Sequence, residues 1–138
     1  VAADIWSVPS FNQLRRDGLA TERWNMLHPE SEPRVSYVQS CLEDRGGPMI
    51  AATDYMKSFA DQIRAFMPKH RLSVLGTDGF GRSDTRKQLR HFFEVDRYHV
   101  VVAALKALAD QEVLPRQKVT EAIRKYELDP EKPDPMTV

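Results

Sequence analysis

The segment best equipped for chemistry is Gly76-Thr77-Asp78-Gly79-Phe80-Gly81-Arg82-Ser83. It follows a predicted strand and precedes a predicted helix, an order that can aim backbone N–H groups and a helix dipole at an anion. Its spacing differs from a phosphate-binding P-loop by one residue, Arg82 standing where lysine is expected between Gly81 and Ser83. Gly79, Gly81, Arg82 and Ser83 are therefore the candidate anion-binding residues. Three features oppose a nucleoside triphosphatase. Asp78 places a carboxylate inside the loop, the planar fork of Arg82 is not equivalent to a lysine, and no later strand ends in an acidic residue that would hold magnesium. A dinucleotide fingerprint fails as well, because Asp84 occupies the place of its third glycine. The simpler reading is a tight strand-to-helix turn that uses glycines for their backbone angles.

Other chemistry-bearing residues are scattered. His91 and His99 lie eight apart, His28 and His70 are isolated, and no pair has the i, i+4 spacing of a helical zinc site. Cys41 is the single cysteine, so it has no thiol partner for a metal or an internal disulfide. Ser10, Ser36, Ser73 and Ser83 lack the Gly-x-Ser-x-Gly elbow of a hydrolase. Glu94 and Asp96 could form a carboxylate pair, but a solvated loop edge is the better reading of the two. No nucleophile, base and oxyanion hole come together in the sequence, and Trp24 reads as packing.

The elements that must position these residues alternate between strand and helix. Ala3–Val8 reads as a strand. Ser10 with Gln13 forms a capping-box signature for a helix from Phe11 to Asp17, which Gly18 terminates. Residues 19–33 read as irregular. Pro33 opens a helix with Val35, Val38 and Leu42 inward, and Gly46-Gly47-Pro48 stops it. Met49–Ala52 reads as a second strand. Thr53 or Asp54 then caps a helix whose apolar face is Met56, Phe59, Ala60, Ile63, Phe66 and Met67, ended by Pro68. Arg71–Gly76 is a third strand, and Ser83 caps a helix through Phe93. Tyr98, Val101, Val102, Leu105 and Leu108 keep helical spacing. Pro115 begins a last helix with Val119, Ala122, Ile123 and Tyr126 inward. The proline-rich tail from Asp129 should run extended over the surface.

Strand–helix alternation implies an α/β fold with a mostly parallel sheet covered by helices on both faces. Three strands are few for such a sheet, and the first begins at the chain start. The expectation is most of one domain, residues 1–138, cut from a longer chain. Loss of an edge strand would uncover sheet backbone and favour association. The 138 residues carry 20 Lys plus Arg against 20 Asp plus Glu, a formal net charge of +0, with no basic excess for nucleic acid or a membrane surface. Mean hydropathy is -0.51, the longest apolar run is far shorter than the roughly 20 residues that cross a bilayer, and no signal-peptide pattern opens the chain. A cytoplasmic setting is expected, consistent with single-cysteine usage.

Several long blocks carry a family resemblance. Val74-Leu75-Gly76-Thr77-Asp78-Gly79-Phe80-Gly81-Arg82-Ser83-Asp84, followed by Leu89-Arg90-His91-Phe92-Phe93-Glu94-Val95-Asp96, closely resembles the C-terminal end of the homodimeric bacterial pyruvate dehydrogenase decarboxylating components. Arg23-Trp24-Asn25-Met26-Leu27-His28-Pro29, Thr53-Asp54-Tyr55-Met56-Lys57, the opening Asp4-Ile5-Trp6-Ser7-Val8 and the terminal helices extend the likeness over essentially the whole chain. The strand–glycine loop–helix unit is more distantly similar to the C-terminal domain of transketolases.

The resemblance implies a parent enzyme that uses thiamine diphosphate and magnesium to decarboxylate pyruvate and acetylate the lipoyl group of an acetyltransferase. In that family cofactor and catalytic residues lie in preceding domains, so no catalytic, cofactor-binding or metal residue is carried over to this segment. It further implies that the domain's first strand and helix lie outside this sequence. The implied partners are the rest of its own chain, a homodimer partner and the dihydrolipoamide acetyltransferase core. The implied role is structural, with an anion- or nucleotide-binding regulatory module at Gly76–Ser83 as the alternative.

Overall fold

The computed structural model describes residues 2–67 and 71–138. Nine residues without regular structure lead into α1 (Phe11–Leu27). Ser10 caps this helix, its hydroxyl oxygen accepting from the Gln13 N–H at 3.2 Å. The chain continues through α2 (Tyr37–Leu42), β1 (Met49–Ala52), α3 (Lys57–Asp61), a 3-10 turn (Arg64–Phe66) and β2 (Leu72–Leu75). It closes with α4 (Arg86–Phe92), α5 (Arg97–Asp110) and α6 (Gln117–Lys125).

β1 and β2 pair in parallel, Met49 beside Leu72 and Ala52 beside Leu75. Parallel strands need a crossover, which α3 and the 3-10 turn supply. Because side chains alternate across a strand, Met49, Ala51, Leu72 and Val74 share one face. That face meets the main core, built from Val38, Leu42, Ile63, Phe66 and Met67 with Phe11, Leu14 and Cys41 packed against it. α5 contacts both strands, and Leu75 and Val102 line one cleft. The α/β class and the parallel pairing agree with the sequence reading.

Several local expectations are corrected. Residues 3–8 form no strand: a strand needs a neighbour to take its backbone hydrogen bonds, and none of the described strands pairs with this segment. Its Ile5 is 96% exposed, and Asp4 is tied to Arg45 at 3.2 Å. The sheet therefore has two described strands, not three.

Gly18 does not end α1, which continues through residues 19–27, where irregular chain was expected. The glycine is there because Phe66 lies against it; a Cβ would stand 2.5 Å from the ring's Cγ. α1 ends instead at His28, whose Nδ1 bonds the Trp24 carbonyl at 2.8 Å and whose ring stacks on the Trp24 indole. Pro33 lies before α2, and Ser36 is the cap. α3 starts only at Lys57 without a side-chain cap, while Thr53 accepts from the Tyr55 N–H in a turn. The single helix expected over Met56–Met67 divides into α3 and the 3-10 turn. Ala60, Ile63, Phe66 and Met67 are buried as its spacing requires, but Met56 and Phe59 are exposed. The terminator Pro68 lies outside the described residues.

α4 begins at Arg86 under Thr85, not under Ser83. Thr85 is in extended geometry and its hydroxyl oxygen accepts from the Gln88 N–H. The tail does not run extended. Asp129 and Asp134 fold it into side-chain-stabilised turns, accepting from the N–H groups of Glu131 and Met136 at 2.9 Å. Pro135 becomes buried against the glycine loop.

Candidate functional site

A cleft of about 360 Å³ opens at the C-terminal end of β2. Leu75 and Gly76 form its floor, with Val102 and His99 of α5, Ile123 of α6 and the folded tail as walls. Lys57, Asp78, Glu94, Lys132 and Asp134 give it polar lining of both signs. In α/β proteins the crevice beyond the strand C-termini is the usual place for ligands.

The glycine loop forms one rim and is stapled to the segment after β1. The Thr77 N–H donates to the Tyr55 carbonyl at 2.9 Å, and the Thr77 hydroxyl donates to the Asp54 carbonyl at 2.8 Å. The Asp78 carboxylate accepts from the Lys57 N–H at 3.0 Å. From α4, Arg90 grips the Asp54 carboxylate with a shortest contact of 2.9 Å. These bonds explain why the loop carries an aspartate: it receives an unpaired N–H at the start of α3.

Gly79 has φ +116, and a Cβ there would overlap the carbonyl oxygen of Pro135. Gly79→Ala is therefore expected to destabilise the domain by about 1–3 kcal/mol. A urea midpoint unchanged from wild type would show that the tail does not hold the loop.

The four residues singled out in the sequence are placed separately. Gly79 is exposed and abuts Pro135 of the tail, Gly81 is exposed with open space around it, and Ser83 is exposed. Arg82 sits with its guanidinium carbon 4.0 Å over the Phe92 ring. Asp84 accepts from the Thr85 N–H at 2.6 Å. An external anion at this turn would meet the carboxylates of Asp78 and Asp84.

Sequence spacing missed Lys132, which comes from the tail and bonds the Phe92 carbonyl and the Glu94 carboxylate, the latter at 3.1 Å. It also missed a juxtaposition at the start of α5. Glu94 adopts φ 59 in the turn between α4 and α5. His91 and His99 thereby reach the same carboxylate. His91 Nδ1 is 3.0 Å from Asp96 Oδ2, and His99 Nδ1 is 2.8 Å from Asp96 Oδ1. Asp96 also caps α5, accepting from the N–H groups of Tyr98 and His99. Burial of this carboxyl raises its pKa. The His99 N–H and both imidazoles outweigh that and bring it down to about 2. The usable signal was an N-cap aspartate three residues before a histidine. Glu94 and Asp96 do not act as a pair: one faces Lys132 and the other the two histidines.

The residues present do not fit a diphosphate cofactor. Lys132 is engaged by Glu94, and Asp78, Asp129 and Asp134 add carboxylates to the same lining, so a diphosphate would meet more repulsion than attraction.

Residues 1–96 match the family described as the transketolase-like TK C-terminal domain. The chain belongs to that family. The match ends at Asp96, the cap of α5. The likeness of this transketolase-like domain to individual proteins continues beyond that point. It is 62% identical over 136 residues to a pyruvate dehydrogenase E1 component of Pseudomonas aeruginosa, covering 99% of this chain and 15% of that one. It is 60% identical over 138 residues to the E1 component of Cupriavidus necator, covering 100% of this chain and 15% of that protein. The Escherichia coli K12 counterpart is 51% identical over 135 residues, 98% of this chain and 15% of that one. The chain thus spans about 15% of the length of these relatives. The resemblance read from the glycine-loop and Arg23–Pro29 blocks agrees with these matches. No helix among the described residues is long and apolar enough to cross a membrane.

Proposed function

We propose that residues 1–138 are a scaffolding C-terminal unit of a cytoplasmic pyruvate dehydrogenase E1-type enzyme. The whole enzyme decarboxylates pyruvate, using thiamine diphosphate and magnesium held outside this segment, and passes the two-carbon acyl unit to a lipoyl group on its acetyltransferase core. This segment supports the homodimer and offers the core a surface. The observation that carries the reading is the 62% identity extending over 99% of the chain to a protein of that name. Exposed large apolar side chains, among them Ile5, Trp6 and Val8 of the N-terminal arm, accord with a segment that packs against further protein.

Calorimetry tests this. Thiamine diphosphate with magnesium should bind the full-length protein and release no heat with the isolated 138-residue chain. Removal of the segment from the full-length protein should shift its sedimentation from dimer towards monomer. Micromolar cofactor binding by the isolated chain, or an unaltered dimer without it, would reject the scaffold role.

A further inference from the structure

We propose that His91, Asp96 and His99 form a binding site for a transition-metal dication of the zinc type, a function separate from the scaffold role. One ligand atom from each of the three residues lies within 4.8 Å of the others. The separations from nitrogen to carboxylate oxygen are 3.0 and 2.8 Å. Around a tetrahedral zinc with bonds of about 2.0–2.1 Å, neighbouring donors stand only a few tenths of an ångström further apart than this. Opening these two nitrogen–oxygen contacts by that much brings them to the spacing of zinc ligands.

The frame is held in advance. The Asp96 carboxylate is oriented by the N–H groups of Tyr98 and His99 at 2.9 and 3.0 Å. The turn that brings His91 back is fixed by the Val95 N–H on the Arg90 carbonyl at 2.9 Å, with Val95 itself buried. His99 and Asp96 side chains are 16% and 15% exposed, whereas His91 is 49% exposed and leaves the site an open side. The ion would then keep solvent or a further ligand in its remaining position.

Donor chemistry selects the class of ion. Two imidazoles and one carboxylate suit zinc and its first-row neighbours, whereas magnesium and calcium require oxygen ligands. Without an ion, the Nδ1 of each ring must donate to Asp96, since an ionised carboxylate can only accept. Ligation through Nδ1 moves that proton to Nε2, which has no hydrogen-bond partner among the described residues. A ring that starts neutral loses no proton overall, one that starts protonated releases its second proton to solvent, and nothing is oxidised.

The test uses the full-length protein that carries this chain, stripped with a chelator. Zinc chloride is titrated into wild type, His91→Gln and His99→Gln, and cobalt(II) serves as a spectroscopic probe. Both variants should weaken zinc binding at least about tenfold, a loss that even a supporting residue causes at metal sites. Cobalt should give the visible absorption of a low-coordinate complex in wild type, and both variants should lose it. His91 is the more exposed of the two and caps no helix, so His91→Gln decides the matter should His99→Gln fail to fold. Equal zinc affinity in wild type and His91→Gln, or identical cobalt spectra, would overturn the site.

Discussion

Replacing Phe66 with alanine is expected to destabilise this domain by about 3–5 kcal/mol. The ring is 6% exposed and belongs to the cluster that joins α1 and α2 to the sheet. Its loss would leave a cavity whose walls, rigid helix and paired strand, collapse poorly. The contact with Gly18 makes the prediction sharper. Gly18→Ala alone should also destabilise, by about 1–3 kcal/mol, because its Cβ would press on ring atoms at 2.5–2.6 Å. That outcome runs against helix propensity, which favours alanine by about 1 kcal/mol. With Phe66 already alanine the clash disappears, and Gly18→Ala should become neutral or stabilising. Urea unfolding of the four proteins gives the coupling directly. Additive effects would show that Phe66 does not set the identity of residue 18.

That pair also shows where sequence reading stops. Gly18 looked like a helix terminator because local rules attach glycine to a left-handed cap. The deciding contact is with a residue 48 positions away, and no local rule sees it. The strand at Ala3–Val8 failed for a related reason. β-Propensity records a fit to a half-buried pleat, and propensity cannot supply the neighbour that a pleat requires. What was legible rested on local chemistry: the Ser10 cap, strand β1 to the residue, the helical spacing of α5 and α6, and the inward set Ala60, Ile63, Phe66 and Met67. Family likeness was legible too, because blocks such as Val74–Asp84 are long.

The candidate site was harder to see in the sequence. The glycine loop lies where the sequence places it, but its partners come from Asp54, Tyr55 and Lys57, upstream of β2, and from Pro135 in the tail. The tail's turns depend on Asp129 and Asp134, whose side-chain bonds prevail over the extended preference of the prolines between them. Helical spacing alone does not bring His91 and His99 together, because that rule assumes one continuous helix. A single residue with positive φ, Glu94, breaks that assumption and places both rings on Asp96.

Asp96→Ala is expected to cost about 2–3 kcal/mol, measured with a chelator present. A lost N-cap accounts for about 1 kcal/mol of this, and bonds from a charged carboxylate to two imidazoles supply the rest. Asp96→Asn keeps an oxygen for the cap and loses the charge, so it separates the two contributions. The folded carboxyl titrates at about 2 against 3.8 for a free one. A depressed carboxyl pKa stabilises the fold fully above the unfolded value, and the stabilisation disappears as pH falls through 3.8 towards 2. The shift alone corresponds to about 2 kcal/mol, which solvent screening reduces to about 1 kcal/mol. The stability difference between wild type and Asp96→Asn should therefore shrink as pH falls through 3.8 towards 2. A difference that stayed level across that range would mean that the carboxylate's charge does not hold the start of α5, and the cap would then act through its oxygen alone.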